Sequence, residues 1–289
     1  MNNEVNRVIM AIGSHADDLE IDVGATLLKY HDLGYEIVYV MSTNNMSGSN
    51  CVLHEDGSSS ETHESPTTMM ARRKRECADA AKVLSTTPIH LDHPQGGYFT
   101  GNGDERVMLD YGCPVPEGIP QDIPPILIAS KDHASIERLA NLILEKDPEC
   151  VLTHSPSDVN IEHIGTSLLV AKAFWKAVEK GYEGGLLFWN EGHTVNGDFY
   201  CRRDTYIDGT GYLDRKMNIL GLHRCQMPKA HLPNFGHRLL GEWRGKLCGC
   251  EVAELFIWVR RPVRRSASIS GVASAIMGEL TTELIQNSR

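Results

Sequence analysis

The stretch Val8-Ile9-Met10-Ala11-Ile12-Gly13-Ser14-His15-Ala16-Asp17-Asp18-Leu19-Glu20 runs from an apolar block into an acid-rich turn. Val8 to Ile12 is uninterrupted hydrophobic sequence and predicts a buried strand. After the turn, Ile21, Val23, Ala25, Leu27 and Leu28 recur at spacings that predict a helix from Ile21 to Tyr30. A His and two adjacent Asp therefore stand at the carboxyl end of a strand, where open α/β sheets place their ligands. Both residue types ligate first-row metals. Two neighbouring carboxylates also permit a division of labour, one holding a metal and the other moving protons. The competing reading makes Asp17 and Asp18 simple helix caps and His15 a loop residue.

Outward from this turn, strands and helices alternate. Tyr35 to Met41 is a second strand, rich in β-branched and aromatic residues. A polar segment from Ser42 to Thr68 follows, too long for a plain connector. Met69 to Leu84 predicts a helix, and Pro88 to Leu91 a third strand ending at Asp92-His93-Pro94. Gly96 to Ile126 is rich in Gly, Pro and Asp and has little periodicity, as an insertion over one edge of the fold would. Ala134 to Lys146 is a helix with Ile136, Leu139, Leu142 and Ile143 on one face. Cys150 to Thr153 is a fourth strand, leading into Asp158-Val159-Asn160-Ile161-Glu162-His163. A helix from Gly165 to Lys180 and a fifth strand from Gly185 to Trp189 come next. This alternation predicts an α/β, Rossmann-like, mostly parallel sheet with helices on both faces. Beyond Asn190 the pattern loosens. Thr205 to Asp208 and Glu254 to Val259 still predict strands, and Leu213 to Cys225 a helix. The expected organisation is one domain over residues 1–260, with the insertion at about 94–128 and a tail over 261–289. Ser270 to Ile285 is compatible with an amphipathic helix, used either in a homo-oligomer contact or as a surface-packed terminus.

Composition narrows the classes. The chain has 289 residues, 41% of them hydrophobic, and a formal net charge of -10. That acidity argues against a nucleic-acid surface. No segment has the length and apolarity of a membrane span, and Met1-Asn2-Asn3-Glu4 lacks a signal-peptide pattern. The eight cysteines are scattered. The expectation is a cytoplasmic protein with reduced thiols and a small-molecule substrate.

The segments His15 to Asp18 and Asp158 to His163 both follow strands, and a doubly wound sheet can bring such ends together. His15, Asp18 and His163 would then form the two-imidazole, one-carboxylate set of a catalytic zinc site, with a position left for water. Asp17, free of the metal, would be the general base.

With both motifs in place, the chain resembles the PIG-L/LmbE-like zinc-dependent N-deacetylases. That family opens with Ala/Gly-His-Pro-Asp-Asp-x-Glu and later carries Asp-x-His-x-Asp-His. Ser14 to Glu20 and Asp158 to His163 stand in those places. Arg73 to Glu76 with Ala80 to Leu84 matches the family's Arg-x-x-Glu helix. Lys216 with His223-Arg224-Cys225-Gln226 matches its Lys…His-x-Ser-Gln. The resemblance spans about Val8 to Phe256. Three departures stand in the main motifs: Ala16 for Pro, Asn160 for the first His of the second motif, and Glu162 for Asp.

The resemblance implies hydrolysis of an N-acetyl or other N-acyl group on an amino sugar or sugar conjugate, such as an N-acetylglucosamine derivative. Zn2+ would be bound by His15, Asp18 and His163, and another divalent first-row metal suits the same ligands. The zinc-bound water would attack the amide carbonyl with Asp17 as base. Asn160 could donate a hydrogen bond to the oxyanion but not a proton. His223 is the other catalytic candidate. Arg73 and Asp92 are the substrate-binding candidates. Three other readings are open: a dinucleotide-binding protein, disfavoured by one Gly and two acids in the first turn; a non-catalytic sugar- or metal-binding relative; and an amidase for another N-acyl group.

Overall fold

A computed structural model describes residues 7–99, 106–109, 115–189 and 204–263. The first strand, β1 (Val8–Gly13), is buried along its whole length and lies between β2 (Glu36–Thr43) and β8 (Cys150–His154), parallel to both. Burial on both faces explains its unbroken apolar sequence. Outside β2 comes β5 (Ile89–His93), and outside β8 comes β9 (Gly185–Trp189), again parallel. The chain thus winds one way through β1, β2 and β5 and then returns to β8 and β9. The reversal falls between β1 and β8, and the crevice at their carboxyl ends is the topological switch point. The sheet is completed by β11 (Ala253–Arg260), antiparallel to β9, and by β10 (Thr205–Asp208) at the edge.

Helices cover both faces. On one, α1 (Asp18–Asp32) and α2 (Pro66–Val83) pack Leu19, Leu27 and Ala80 against Ile9, Ala11 and Tyr39. On the other lie α3 (Ile126–Ala129), α4 (His133–Lys146) and α5 (Ile161–Glu179). These set Leu139, Ile143 and Phe174 against Met10, Ile12 and Val40. Strand alternation separates the two sets, as period-two geometry requires.

The helix after the motif is broken in the middle. Val23 has φ −132° and ψ 16°, outside helical geometry. The freed backbone N–H groups of Ala25 and Thr26 donate to the carboxylate of Glu254 on β11, at 3.0 and 2.8 Å. Lys216, on α6 (Leu213–Leu220), neutralises that buried carboxylate at 2.5 Å. Its stem crosses Gly24, where a Cβ would come within 3.1 Å of Lys216 Cγ. The Lys216 of the resemblance is therefore a structural counter-ion, and loss of one partner of such a pair leaves a costly bare charge.

Several boundaries differ from expectation. Asp18 is the first residue of α1, and Glu162 and His163 are helical rather than loop residues because Asn160 caps α5 by accepting from Glu162 N–H at 2.9 Å. The helix expected over Leu213 to Cys225 stops at Leu220, where Gly221 is a weak helix former. The Ser42 to Thr68 segment contains a hairpin, β3 (Asn50–Leu53) with β4 (Ser59–Thr62). The insertion contains a short pair, β6 (Gly97–Phe99) with β7 (Arg106–Met108). The last helix of the described chain, α7 (Gly236–Cys248), packs beside β11. The expected tail helix over Ser270 to Ile285 lies outside the described residues.

Candidate active site

The turn after β1 is braced by its neighbours. Thr43, at the end of β2, donates its hydroxyl to Ser14 C=O at 2.6 Å, and Asn45 Oδ1 accepts from Ala16 N–H at 2.8 Å. Asp18 folds back onto this turn, where its Oδ2 accepts from the N–H groups of Ser14 (2.9 Å) and His15 (2.6 Å). Asp17 occupies the N-cap position of α1, yet its side chain makes no capping bond. The simple-cap reading of the two acids therefore fails.

Across the switch point, His15, Asp18 and His163 converge, with one ligand atom from each lying within 4.8 Å of the others, and all three are buried. His15 Nδ1 faces His163 Nε2 at 3.1 Å, and Asp18 Oδ1 stands 3.4 Å from His163 Nε2. The other nitrogen of each ring meets a carboxylate: His15 Nε2 meets Glu162 Oε2 at 2.5 Å, and His163 Nδ1 meets Asp158 Oδ2 at 2.9 Å. A nitrogen that donates to a carboxylate leaves its partner nitrogen as a lone pair. Two lone pairs and a carboxylate oxygen therefore point at one place, an arrangement that calls for a cation. Carboxylate-backed histidines of this kind are what a first-row metal site uses to fix its imidazoles. The residues present fit such an ion.

The charges agree with that geometry. Burial opposes the imidazolium of His15, but Asp18 and Glu162 outweigh it and push the ring up to about 9. His163 is likewise raised, against burial, by Asp18 and Asp158. Burial works to raise Glu162, yet His15, Gln95 and the Gly96 N–H bring it down to about 2. Asp18 falls well below the carboxylate range because His163, His15 and His154 overcome its burial. Without a metal, a proton takes the cation's place.

Beside this group, Asp17 Oδ1 accepts from Arg73 Nη2 at 2.8 Å, and both side chains are buried. Burial would raise Asp17; the guanidinium of Arg73 overrides it and holds the carboxyl below its ordinary value. Its Oδ2 makes no hydrogen bond among the described residues. The other terminal nitrogen of Arg73 donates to Ser47 C=O at 3.2 Å. Arg73, a substrate-binding candidate of the sequence, is thus a buried ion-pair partner of Asp17. His223 is fully buried, with Nε2 2.9 Å from Glu20 Oε2. Burial favours neutral His223, but Glu20 and Asp17 prevail and raise it. Glu20 also accepts from Tyr39 OH at 3.0 Å. The cap made by Asn160 Oδ1 leaves its amide nitrogen with no partner among the described residues. Asp92 is engaged by Lys74 at 2.5 Å and makes no hydrogen bond to the cluster, so the structure does not bring it to the site.

Two site residues escaped the sequence reading. Gln95 links Glu162 (2.9 Å) to Ser47 N–H (2.7 Å). His154 is fully buried, stacks on His163 at 4.0 Å and lies 3.0 Å from Asp18 Oδ2. Burial and the charge of His163 push its ring down to about 4. The one available signal was position: His154 ends β8, and Gln95 follows β5, at the same edge of the sheet.

A search of curated proteins finds no match. Among solved structures, the chain is similar to the 4-carboxy-2-hydroxymuconate hydratase GalB of Pseudomonas putida KT2440, at 18% identity and TM-score 0.63, covering 90% of this chain and 99% of that one. It is also similar to the N,N'-diacetylchitobiose deacetylase of Pyrococcus horikoshii, at 16% identity and TM-score 0.61, over 91% and 88% of the two chains. A deacetylase of teicoplanin biosynthesis is similar at 15% identity and TM-score 0.58, over 89% and 100%. Identities this low speak for the fold alone. The family model described as PIG-L, GlcNAc-PI de-N-acetylase, matches residues 10–174, a span that runs from within β1 through the acidic turn and into α5. The chain, with its paired motifs at the switch point, belongs to the PIG-L family.

Proposed function

We propose that this protein is a metal-dependent N-deacetylase that hydrolyses an N-acyl group on an amino sugar or sugar conjugate. The observation that carries the reading is the pair of carboxylate-backed imidazoles, His15 and His163, facing each other at 3.1 Å beside Asp18 and Asp17. Family membership supports the reaction class. His15, Asp18 and His163 would hold a divalent ion, and their nitrogen and oxygen donors suit zinc. Such an ion, when bound, acidifies water and polarises a carbonyl oxygen.

The chain's own residues supply the rest. Asp17, kept ionised and aimed by Arg73, takes the proton of the attacking water on its free Oδ2. The amide nitrogen of Asn160 donates to the oxygen that gains charge as the carbonyl carbon becomes tetrahedral. Protonated Asp17 returns its proton to the leaving nitrogen, the C–N bond breaks, and acetate and a free amine depart. His223, whose charged form Glu20 favours, lies in the surroundings that tune Asp17.

The test is elemental analysis of the purified protein, followed by acetate release from N-acetylglucosamine derivatives with and without a chelator. The expected result is one divalent ion per chain and turnover that the chelator abolishes. A protein without metal overturns the reading. Bound metal with no turnover across the panel favours a binding relative instead. His223→Ala is expected to slow turnover by about tenfold or more with the metal retained; an unchanged rate would make His223 purely structural. Among the described residues no helix is long and apolar enough to cross a membrane.

A further inference from the structure

The carboxylate of Asp18 is used unevenly. Its Oδ2 lies within hydrogen-bonding reach of three nitrogens: Ser14 N at 2.9 Å, His15 N at 2.6 Å and His154 Nε2 at 3.0 Å. Its Oδ1 faces His163 Nε2 at 3.4 Å with no hydrogen bond from a backbone group among the described residues, whereas Oδ2, which lies 3.4 Å from His15 Nδ1, carries those three contacts as well. His154 itself has no exposed surface. Its position is fixed by the stack on His163 and by the edge of Trp189, with centroids 4.6 Å apart.

Which nitrogen of His154 carries the proton follows from counting partners. Nδ1 is buried and has no hydrogen-bond partner among the described residues, and Asp158 Oδ2 stands 3.8 Å from it. A proton on Nδ1 would leave a buried N–H with nothing to donate to. It would also turn the Nε2 lone pair toward a carboxylate oxygen 3.0 Å away. A proton on Nε2 makes that contact a hydrogen bond and leaves only a weak acceptor unused. The Ser14 N–H stands 3.0 Å from Nε2 and 2.9 Å from Asp18 Oδ2, and the charged carboxylate oxygen is the stronger acceptor of the two.

We propose that His154 is a positioning residue: as an Nε2–H donor it fills the third place on Asp18 Oδ2 and so leaves Oδ1 as the single oxygen Asp18 can offer a metal. The inference rests on the ligand set of the proposed function. One-oxygen coordination by Asp18 keeps the protein's share at three donors, and the remaining positions stay open to water and the acyl oxygen. Without the His154 donor, Oδ2 is held only by two backbone groups on a short turn and can swing in beside Oδ1, occupying a position that substrate needs.

The experiment compares the wild-type protein with His154→Leu and His154→Gln, each loaded with cobalt(II). Glutamine can place an amide N–H near the former Nε2; leucine cannot. The expected result is a severalfold weaker visible absorption for the leucine variant, as coordination number rises. Its kcat should fall about 10- to 100-fold with one metal per chain retained, the scale typical of outer-shell partners, while KM moves little. The glutamine variant should restore most of both. A folded leucine variant with one cobalt and the wild-type spectrum overturns the proposal. Should leucine not be tolerated, nitrogen-15 NMR of the wild-type imidazoles decides: a proton on Nε2 of His154 supports the assignment, and a proton on Nδ1 overturns it. Failure of the wild-type protein to take up cobalt would instead sink the ligand set, a separate outcome.

Discussion

Replacing Asp17 by Asn lowers acetate release by about 10²- to 10⁴-fold while the metal stays bound, the range by which a positioned base accelerates proton transfer. The substitution keeps the shape of the side chain and removes its basicity. Metal retention is expected because the converging donors come from His15, Asp18 and His163, while the Asp17 side chain bonds only Arg73 among the described residues. Arg73 also gives the pH dependence a direction. It holds the Asp17 carboxyl below its ordinary value, so the base is already ionised at neutral pH. The acid limb of kcat/KM that belongs to Asp17 should therefore lie on the acid side of neutrality. Turnover measured on metal-replete Asp17→Asn protein decides the matter: a rate close to wild type removes Asp17 from the reaction.

Stripping the metal should destabilise the protein far more at pH 9 than at pH 6. In the metal-free protein a proton substitutes for the cation at the His15–His163 pair. His15 is raised from 6.5 to about 9 in the fold. A raised folded pKa contributes stability that is complete below the unfolded value and is lost as pH climbs through the folded one. The metal-free protein therefore weakens between about pH 6.5 and 9, whereas a divalent ion binds more tightly there because fewer protons compete. Free metal a thousandfold above its Kd adds about 4 kcal/mol, on the order of 10 °C in Tm for a chain of this size. Thermal unfolding of loaded and chelated protein at both pH values is the check. An equal metal-dependent shift at the two pH values, or a larger one at pH 6, contradicts the cation-site reading.

Much of this was legible because the decisive contacts are local. The run Val8 to Ile12 must be buried on both faces, and only an internal strand of a parallel sheet does that. His15 and Asp18 are three residues apart across one strand-to-helix turn, and a motif that short carries its own geometry. The candidate set of two His and one Asp therefore came from two short segments and the rule that strand ends converge at a switch point. The helix starting at Ile161 was also recoverable, since Asn160 is a good cap, but the apolar pattern after Gly165 drew the boundary too late.

The tertiary structure decided the pairings that span long separations. Glu162 meets His15 across 147 residues, Asp17 meets Arg73 across 56, and Asp18 meets His154 across 136. No periodicity encodes such pairs, because each depends on two chain segments arriving at one crevice with their side chains aimed inward. That is why Arg73, at home on a helix that could have faced solvent, proved buried and bound to Asp17. It is also why His154 was missed: a lone histidine at the end of a buried strand gains a role only once the turn after the neighbouring strand leads into α1, whose first residue supplies the carboxylate it touches. The amino-acid order set which groups could grip a cation; packing across the sheet set which oxygen and which nitrogen face it.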